Sequence, residues 1–299
     1  MRVPEGSSEP VVESWAEVDV AELLGHLGLE PGGPGTRVLA VDGRSGAGKS
    51  TTAARLARLV PGSAVVATDD IAWNLAMFDW TRELITHVVE PVRAGQSVAY
   101  RPPGWVAHDR PGAVRVEPAR SLLIIEGVGS AQRAMSAVLD AAVWVQSDRE
   151  AARAAGLARD VASGVNGDPD GAAAFWDQWE AEELPFLERE RPWERAGAIL
   201  AGVPLGSPDR LLWRPAARPG LAPPPPPGLD PRTFVVGDAV FVVTRVPGSS
   251  GGYQADWTNH PDGYGFGWSG PGPLDDEAIT AQLRDFLDQV DPETGFLRD

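Results

Sequence analysis

Apolar side chains recur along this chain in two rhythms. Residues 38–41 (V-L-A-V), 62–68 (G-S-A-V-V-A-T), 121–126 (S-L-L-I-I-E), 141–146 (A-A-V-W-V-Q) and 197–201 (G-A-I-L-A) are short, nearly unbroken apolar runs. Runs of that length, rich in β-branched residues, predict strands covered on both faces. Between them the spacing lengthens to a helical period. Residues 18–29 place Val20, Leu23, Leu24 and Leu27 on one side, and residues 50–60 do the same with Ala53, Ala54, Leu56, Ala57 and Leu59. Further helices are expected over residues 83–90, closed by Pro91, and over residues 149–162 and 172–189. Strands alternating with helices predict an α/β fold, a doubly wound parallel sheet with helices on both faces.

The pattern changes after residue 214. Five consecutive prolines, Pro223 to Pro227, lie in a Pro/Gly/Ala-rich stretch, which favours a semi-rigid polyproline spacer. Beyond it, residues 233–246 hold two β-type runs joined at Gly237 and Asp238, a hairpin signal. Tyr253, Trp257, Tyr264, Phe266 and Trp268 follow among glycines, and residues 275–290 carry Ile279, Leu283, Phe286 and Leu287 on one helical face. Residues 291–296 (D-P-E-T-G-F) read as a turn followed by an anchoring aromatic. The expected organisation is a tail and helix over residues 1–35, the α/β domain over 36–214, a linker over 215–229 and a small α+β module over 230–299.

Composition narrows the function classes. With no cysteine, disulfides and thiolate metal sites are excluded. The formal charge is −16, against partners such as nucleic acid or anionic membrane that are held by basic surface. No apolar stretch reaches the length of about 18 residues that a membrane span needs. Residues 1–13 carry Glu5, Glu9 and Glu13 without an apolar segment, unlike a secretory signal. These features fit a cytoplasmic enzyme.

One residue then changes the picture. Lys49 is the only lysine, every other basic side chain in the Lys+Arg count of 26 being arginine. It sits in G-x-x-x-x-G-K-S, from Gly43 through Arg44, Ser45, Gly46, Ala47 and Gly48 to Ser50, between an expected strand and an expected helix. That context gives the motif its meaning. Glycines let backbone amides converge on phosphate oxygens, the helix start adds positive potential, and a compact ammonium fits between β- and γ-phosphates. The amides from Gly43 to Thr51 are therefore nucleotide-binding candidates, with Ser50 toward Mg²⁺. The G-x-G-x-x-G spacing of dinucleotide sites is absent here.

Carboxylates and cations complete the candidate chemistry. Asp69 and Asp70 follow the second strand and Glu126 ends the third, on the sheet edge where open parallel sheets bind ligands. Asp69 is a candidate base and metal group, and Glu126 a candidate metal group. Arg153 and Arg159, on the helix after the fourth strand, are candidates to cover the phosphates.

The series G-R-S-G-A-G-K-S-T, D-D, I-I-E-G-V and L-A-R-D resembles the uridine kinase-like branch of P-loop kinases over about residues 38–202. The resemblance implies that Asp69 takes the proton of an acceptor hydroxyl, that Glu126 serves the metal and that Arg159 is a lid arginine. It also implies that Tyr100, His108 and Arg110, with Asp70 beside the base, face the acceptor. The x-F-Y that follows the aspartate in that family is replaced by Asp70, Ile71 and Ala72. The expected activity is ATP- and Mg²⁺-dependent transfer of a γ-phosphate to a small-molecule hydroxyl, a nucleoside being one acceptor. An antibiotic or nucleotide acceptor, and a non-catalytic nucleotide-binding regulator, are the other readings.

Overall fold

The computed structural model describes residues 1–29, 35–75, 77–118, 120–202, 210–216, 232–237, 239–245, 251–260, 264–270 and 274–291. The chain divides into two units, Met1–Ala222 and Pro223–Asp299. The first opens with β1 (Ala16–Asp19), α1 (Val20–Leu27), β2 (Arg37–Gly43), α2 (Lys49–Leu59) and β3 (Ser63–Ala67). A short α3 (Thr68–Ala72) follows, then α4 (Thr81–Leu84) and α5 (Glu90–Arg93), joined by a π turn over Ile85–Val89. Next come β4 (Val98–Tyr100), α6 (Pro103–Ala107), β5 (Val114–Val116), β6 (Leu122–Glu126), a 3₁₀ turn (Arg133–Val138) and β7 (Ala141–Gln146). The unit ends with α7 (Arg149–Ser163), α8 (Pro169–Glu190), α9 (Pro192–Arg195), β8 (Ala198–Ala201) and β9 (Arg210–Pro215).

Seven strands form one sheet in the order β1-β9-β8-β7-β2-β6-β3. The five from β8 to β3 are parallel, and β9 and β1 add antiparallel edges. From β2 the chain moves out to β3, returns to β6, then crosses to β7 and β8 on the other side. This is a doubly wound order, and the reversal opens a crevice at the carboxyl end of β2. Side chains alternate faces along each strand. Leu39, Val41, Ile124, Val143 and Val145 pack with Leu23, Leu24, Leu27, Ala53 and Leu56 of α1 and α2. Val38, Ala40, Leu123, Ile125 and Ala142 pack on the other side with Ile71, Leu84, Val88 and Met135. Each fully buried leucine of this kind stabilises the fold by about 2–5 kcal/mol relative to alanine.

Several elements differ from the sequence expectation. Residues 18 and 19 belong to a strand, because Asp19 is extended and its carboxylate caps α1 by accepting the Glu22 amide at 2.8 Å. Through β1 and α1, residues 16–27 of the expected N-terminal tail and helix contribute to the first unit's main sheet and core. Pro91 does not end its helix. The π turn switches the Glu90 amide to the Ile85 carbonyl, and Pro91 then stands in the first turn of α5, where its missing N–H is tolerated. The expected 215–229 linker lies almost entirely outside the described residues, as do Asp238 and residues 292–296.

In the second unit, β10 (Arg232–Val236), β11 (Ala239–Arg245), β12 (Gly252–Trp257) and β13 (Tyr264–Ser269) make an antiparallel meander. Val236 pairs with Ala239 across the expected hairpin, with Gly237 at φ 60°. One face is covered by α10 (Asp276–Leu287), whose Ile279, Leu283 and Phe286 pack against Phe234, Phe241 and Tyr253. The interleaved aromatics are therefore core. Phe266, for example, stacks on Phe286 with centroids 3.7 Å apart.

Candidate phosphate-binding site

The loop between β2 and α2 follows the path that its glycines allow. Gly46 and Gly48 have φ of 74° and 97°, and a Cβ would stand 2.2 Å from the Ala152 carbonyl oxygen and 2.5 Å from that of Gly202. Any side chain at either position would be both strained and obstructed. Gly48 caps α2 without a side-chain bond, so the first amides of the helix are left for a ligand. Lys49 is buried, with Nζ donating to the Arg44 carbonyl at 3.0 Å.

Carboxylates gather around this ammonium. Glu126 emerges half-buried from β6 and bonds to the Ser50 side chain. Burial raises its pKa and the Lys49 charge opposes that rise, while Asp69 and Asp70 push it further up. The structure thus brings Lys49, Ser50, Asp69 and Glu126 into one electrostatic group at the sheet edge. Among the described residues no set of three or more His, Cys, Asp or Glu side chains is arranged to hold a metal ion. A magnesium ion held mainly by phosphates and water needs only one or two protein oxygens, and the bonded pair Ser50 and Glu126 could provide them.

Asp69 and Asp70 lie in the first turn of α3, whose N-cap is Ala67, so neither caps it. Asp70 accepts from Arg110 Nη2 at 2.8 Å, and its carbonyl accepts from Trp105 Nε1 at 2.7 Å. Arg110 lies over the Trp105 ring at 3.7 Å, and His108 meets Trp73 edge-on at 5.6 Å. Asp70, His108 and Arg110 therefore share one wall. Tyr100 stands in a different cluster, donating to Glu83 and stacking on His87 at 4.5 Å. Burial, then the Glu83 contact, raises its pKa.

The arginines are disposed differently from one another. The Arg44 side chain points away from a ligand role: it is buried, paired with Glu9, and donates to the Ser147 carbonyl at 2.9 Å. Arg153 adjoins Ala152, which abuts Gly46, and its guanidinium spans Glu180 at 2.7 Å and Asp177 at 2.6 Å. Arg159 is exposed and paired with the neighbouring Asp160. No contact among the described residues joins it to the loop.

Two carboxylates that sequence reasoning missed hold the loop from outside. Asp42, fully buried at the end of β2, accepts amides from Gly43 at 2.7 Å, Gly129 at 3.0 Å and Ala131 at 2.8 Å. It ties the loop after β6 to the phosphate loop. A lone carboxylate just before Gly43 in an otherwise apolar run was the available signal. Glu183 of α8, also buried, accepts the Ser45 amide at 2.7 Å. A cavity of about 500 Å³ is lined by Met77, Phe78, Gln132, Glu182, Phe186 and Arg189. Phe78 and Phe186 stack at 3.8 Å, and Phe186 closes against Gly129.

Burial pushes the Asp42 carboxyl up to about 6, against the pull of its three amides and Lys49. The folded chain therefore keeps a proton that the unfolded chain releases between the usual 3.8 and about 6. This contribution to stability is full at low pH, declines as pH rises through that window and is gone above it. A displacement of this size corresponds to roughly 3 kcal/mol. Denaturant midpoints at pH 4.5, 5.5 and 6.5 should show a fall in wild type that is missing in Asp42→Asn. Parallel profiles for the two proteins would contradict the assignment.

No protein-family model matches the chain. No curated protein matches it either. Among solved structures, a candidate fructose transport system kinase from Silicibacter sp. TM1040 is similar at 21% identity, over 60% of this chain and 95% of that one, with a TM-score of 0.40. A possible uridine kinase from Bacillus stearothermophilus is similar at 18% identity, over 60% of this chain and 98% of that one, with a TM-score of 0.37.

Proposed function

We propose that this chain is an ATP- and Mg²⁺-dependent phosphotransferase that moves a γ-phosphate to a hydroxyl of a small molecule. The observation that carries this reading is the convergence of Lys49, the Ser50–Glu126 pair and Asp69 at the crevice beside β2. Phosphoryl transfer asks the protein for positioning and charge rather than covalent chemistry, and this set supplies both. Lys49 and the loop amides hold the phosphate tail. Ser50 and Glu126 hold Mg²⁺, which supplies charge neutralisation when bound. Asp69 accepts the acceptor's proton. Arg153 is held at the loop's rim by Glu180 and Asp177 and Arg159 by Asp160, so either must leave its carboxylate to screen the transferred phosphoryl group.

We assign the acceptor to the cavity lined by Met77, Phe78, Gln132, Glu182, Phe186 and Arg189; Phe186 abuts Gly129, whose amide is held by Asp42 just ahead of the phosphate loop. The cavity's volume falls in the range of small-molecule sites. Asp70, Arg110 and His108, packed on Trp73 and Trp105, are the further candidates to contact the acceptor. Ile71 and Ala72 stand where the resembling family has a Phe-Tyr pair, so acceptors beyond nucleosides belong in the test.

Calorimetry with Mg–ATP and Mg–GTP, followed by an ADP-release screen over nucleosides, nucleotides and aminocyclitols, tests the reading. Heat of ATP association and turnover with at least one hydroxyl acceptor are expected. No heat with either triphosphate would overturn it. Binding without turnover on any acceptor would favour a nucleotide-binding regulator instead.

A further inference from the structure

The residues ahead of the main sheet form an ordered segment with contacts on three sides. Arg2 donates to Asp148, the N-cap of α7, from its backbone at 3.0 Å and its side chain at 3.0 and 3.1 Å, and pairs with Glu150. The Arg149 amide returns a bond to the Arg2 carbonyl at 3.0 Å. Ser7 and Ser8 bond the Glu188 carboxylate of α8, Ser8 Oγ at 2.8 Å. Those bonds lower the Glu188 pKa despite its partial burial. Val12 is buried with Trp144, Leu187 and Trp193.

Between these anchors lies Glu9, whose side chain is 1% exposed. One oxygen accepts from Trp144 Nε1 at 2.8 Å and Gln146 Nε2 at 2.6 Å, and the other pairs with Arg44. Arg44 is the second residue of the phosphate loop, and its carbonyl is the acceptor that holds Lys49 Nζ. A surface tail has no need of a buried charge. Desolvating a carboxylate is costly, and the four-group network of Glu9, Arg44, Trp144 and Gln146 must offset that cost.

We infer that residues 2–12 are a strap belonging to the phosphate site, in which Glu9 is a positioning residue acting through Arg44 on Lys49. The strap ties α7, α8 and the loop to one another, so the loop is held in its binding shape before any nucleotide arrives. This rests on the nucleotide-binding reading above. Preorganisation of that kind appears as affinity, because the ligand need not order the loop.

The experiment compares wild type with Glu9→Gln by calorimetry with Mg–ADP and the non-hydrolysed analogue Mg–AMP-PNP, with thermal melts recorded alongside. Glutamine keeps the size but leaves Arg44 buried without its counter-charge. Wild type is expected to bind and the variant to bind at least tenfold more weakly at a temperature where its melt shows it folded. A folded variant that binds within twofold of wild type overturns the inference, whatever its melting point, because the strap then serves stability alone. Should Glu9→Gln not fold, Glu9→Asp decides. Its carboxylate is one methylene too short to reach Arg44, Trp144 and Gln146 together, so a threefold or greater loss supports the coupling and unchanged affinity overturns it. A wild-type chain that gives no heat fails earlier and refutes the proposed function instead.

Discussion

Replacing Lys49 by alanine is expected to reduce phosphoryl transfer by about 10³-fold or more, with a smaller loss of Mg–ATP affinity. A thousandfold corresponds to about 4 kcal/mol of barrier, the scale on which one preorganised charge in a dry site acts. The site meets both conditions: Lys49 is 8% exposed, and its charge is felt by Asp42 and Glu126. Alanine is a good helix former at the first residue of α2, so the fold should survive. Lys49→Arg should fail nearly as badly, since a planar fork cannot enter a cradle shaped around an ammonium. An independent readout accompanies the loss. Without the ammonium, the carboxyls of Asp42 and Glu126 should both titrate at higher pH than in wild type. Turnover within tenfold of wild type in the alanine variant would remove Lys49 from the mechanism.

The legible part of this molecule is the part whose chemistry is local in sequence. The phosphate loop could be read because strand, glycines, lysine and helix are contiguous, and the structure places them as that order requires. Four of the five parallel strands were legible because burial on both faces writes an unbroken apolar run, whereas β3, at the sheet edge with Val65 exposed, was legible only from its small and β-branched residues. The edge strand β1 was not, since A-E-V-D buries only Val18 and looks like a helix entry. Likewise β9 gains its identity from pairing with β1 and β8 rather than from its own pattern.

The groups that brace the loop were hidden for a different reason. Glu9 lies 35 residues from Arg44, and Glu183 lies 138 residues from Ser45. Each looks like an ordinary surface glutamate until the fold buries it. Arg44 shows the converse. Its place inside the motif suggested a phosphate contact, yet its guanidinium is engaged behind the loop by Glu9 and Ser147. A motif fixes where backbone amides go; it does not fix where the intervening side chains point.

Asp69→Asn is expected to lower turnover by 10²- to 10⁴-fold while leaving Mg–ATP affinity close to wild type. General-base assistance is worth about that much when the proton must leave during transfer. Asparagine matches aspartate in size but cannot accept a proton near neutral pH. Asp69 stands at the start of α3, directly after β3, on the same edge as the loop. It is close enough to Glu126 for its charge to raise that carboxyl's pKa, whereas the loop amides and Lys49 that would hold the phosphates are other groups. Binding and chemistry should therefore separate: the dissociation constant by calorimetry stays, and the rate constant at saturating ATP and acceptor falls. With the Asp69 charge gone, Glu126 should also ionise at lower pH, which an acid-side pH profile of Mg–ATP affinity would register. If the asparagine protein turned over as fast as wild type, the base would have to be sought elsewhere along this edge, with Asp70 excluded only once its ion pair to Arg110 had been broken and tested in the same way.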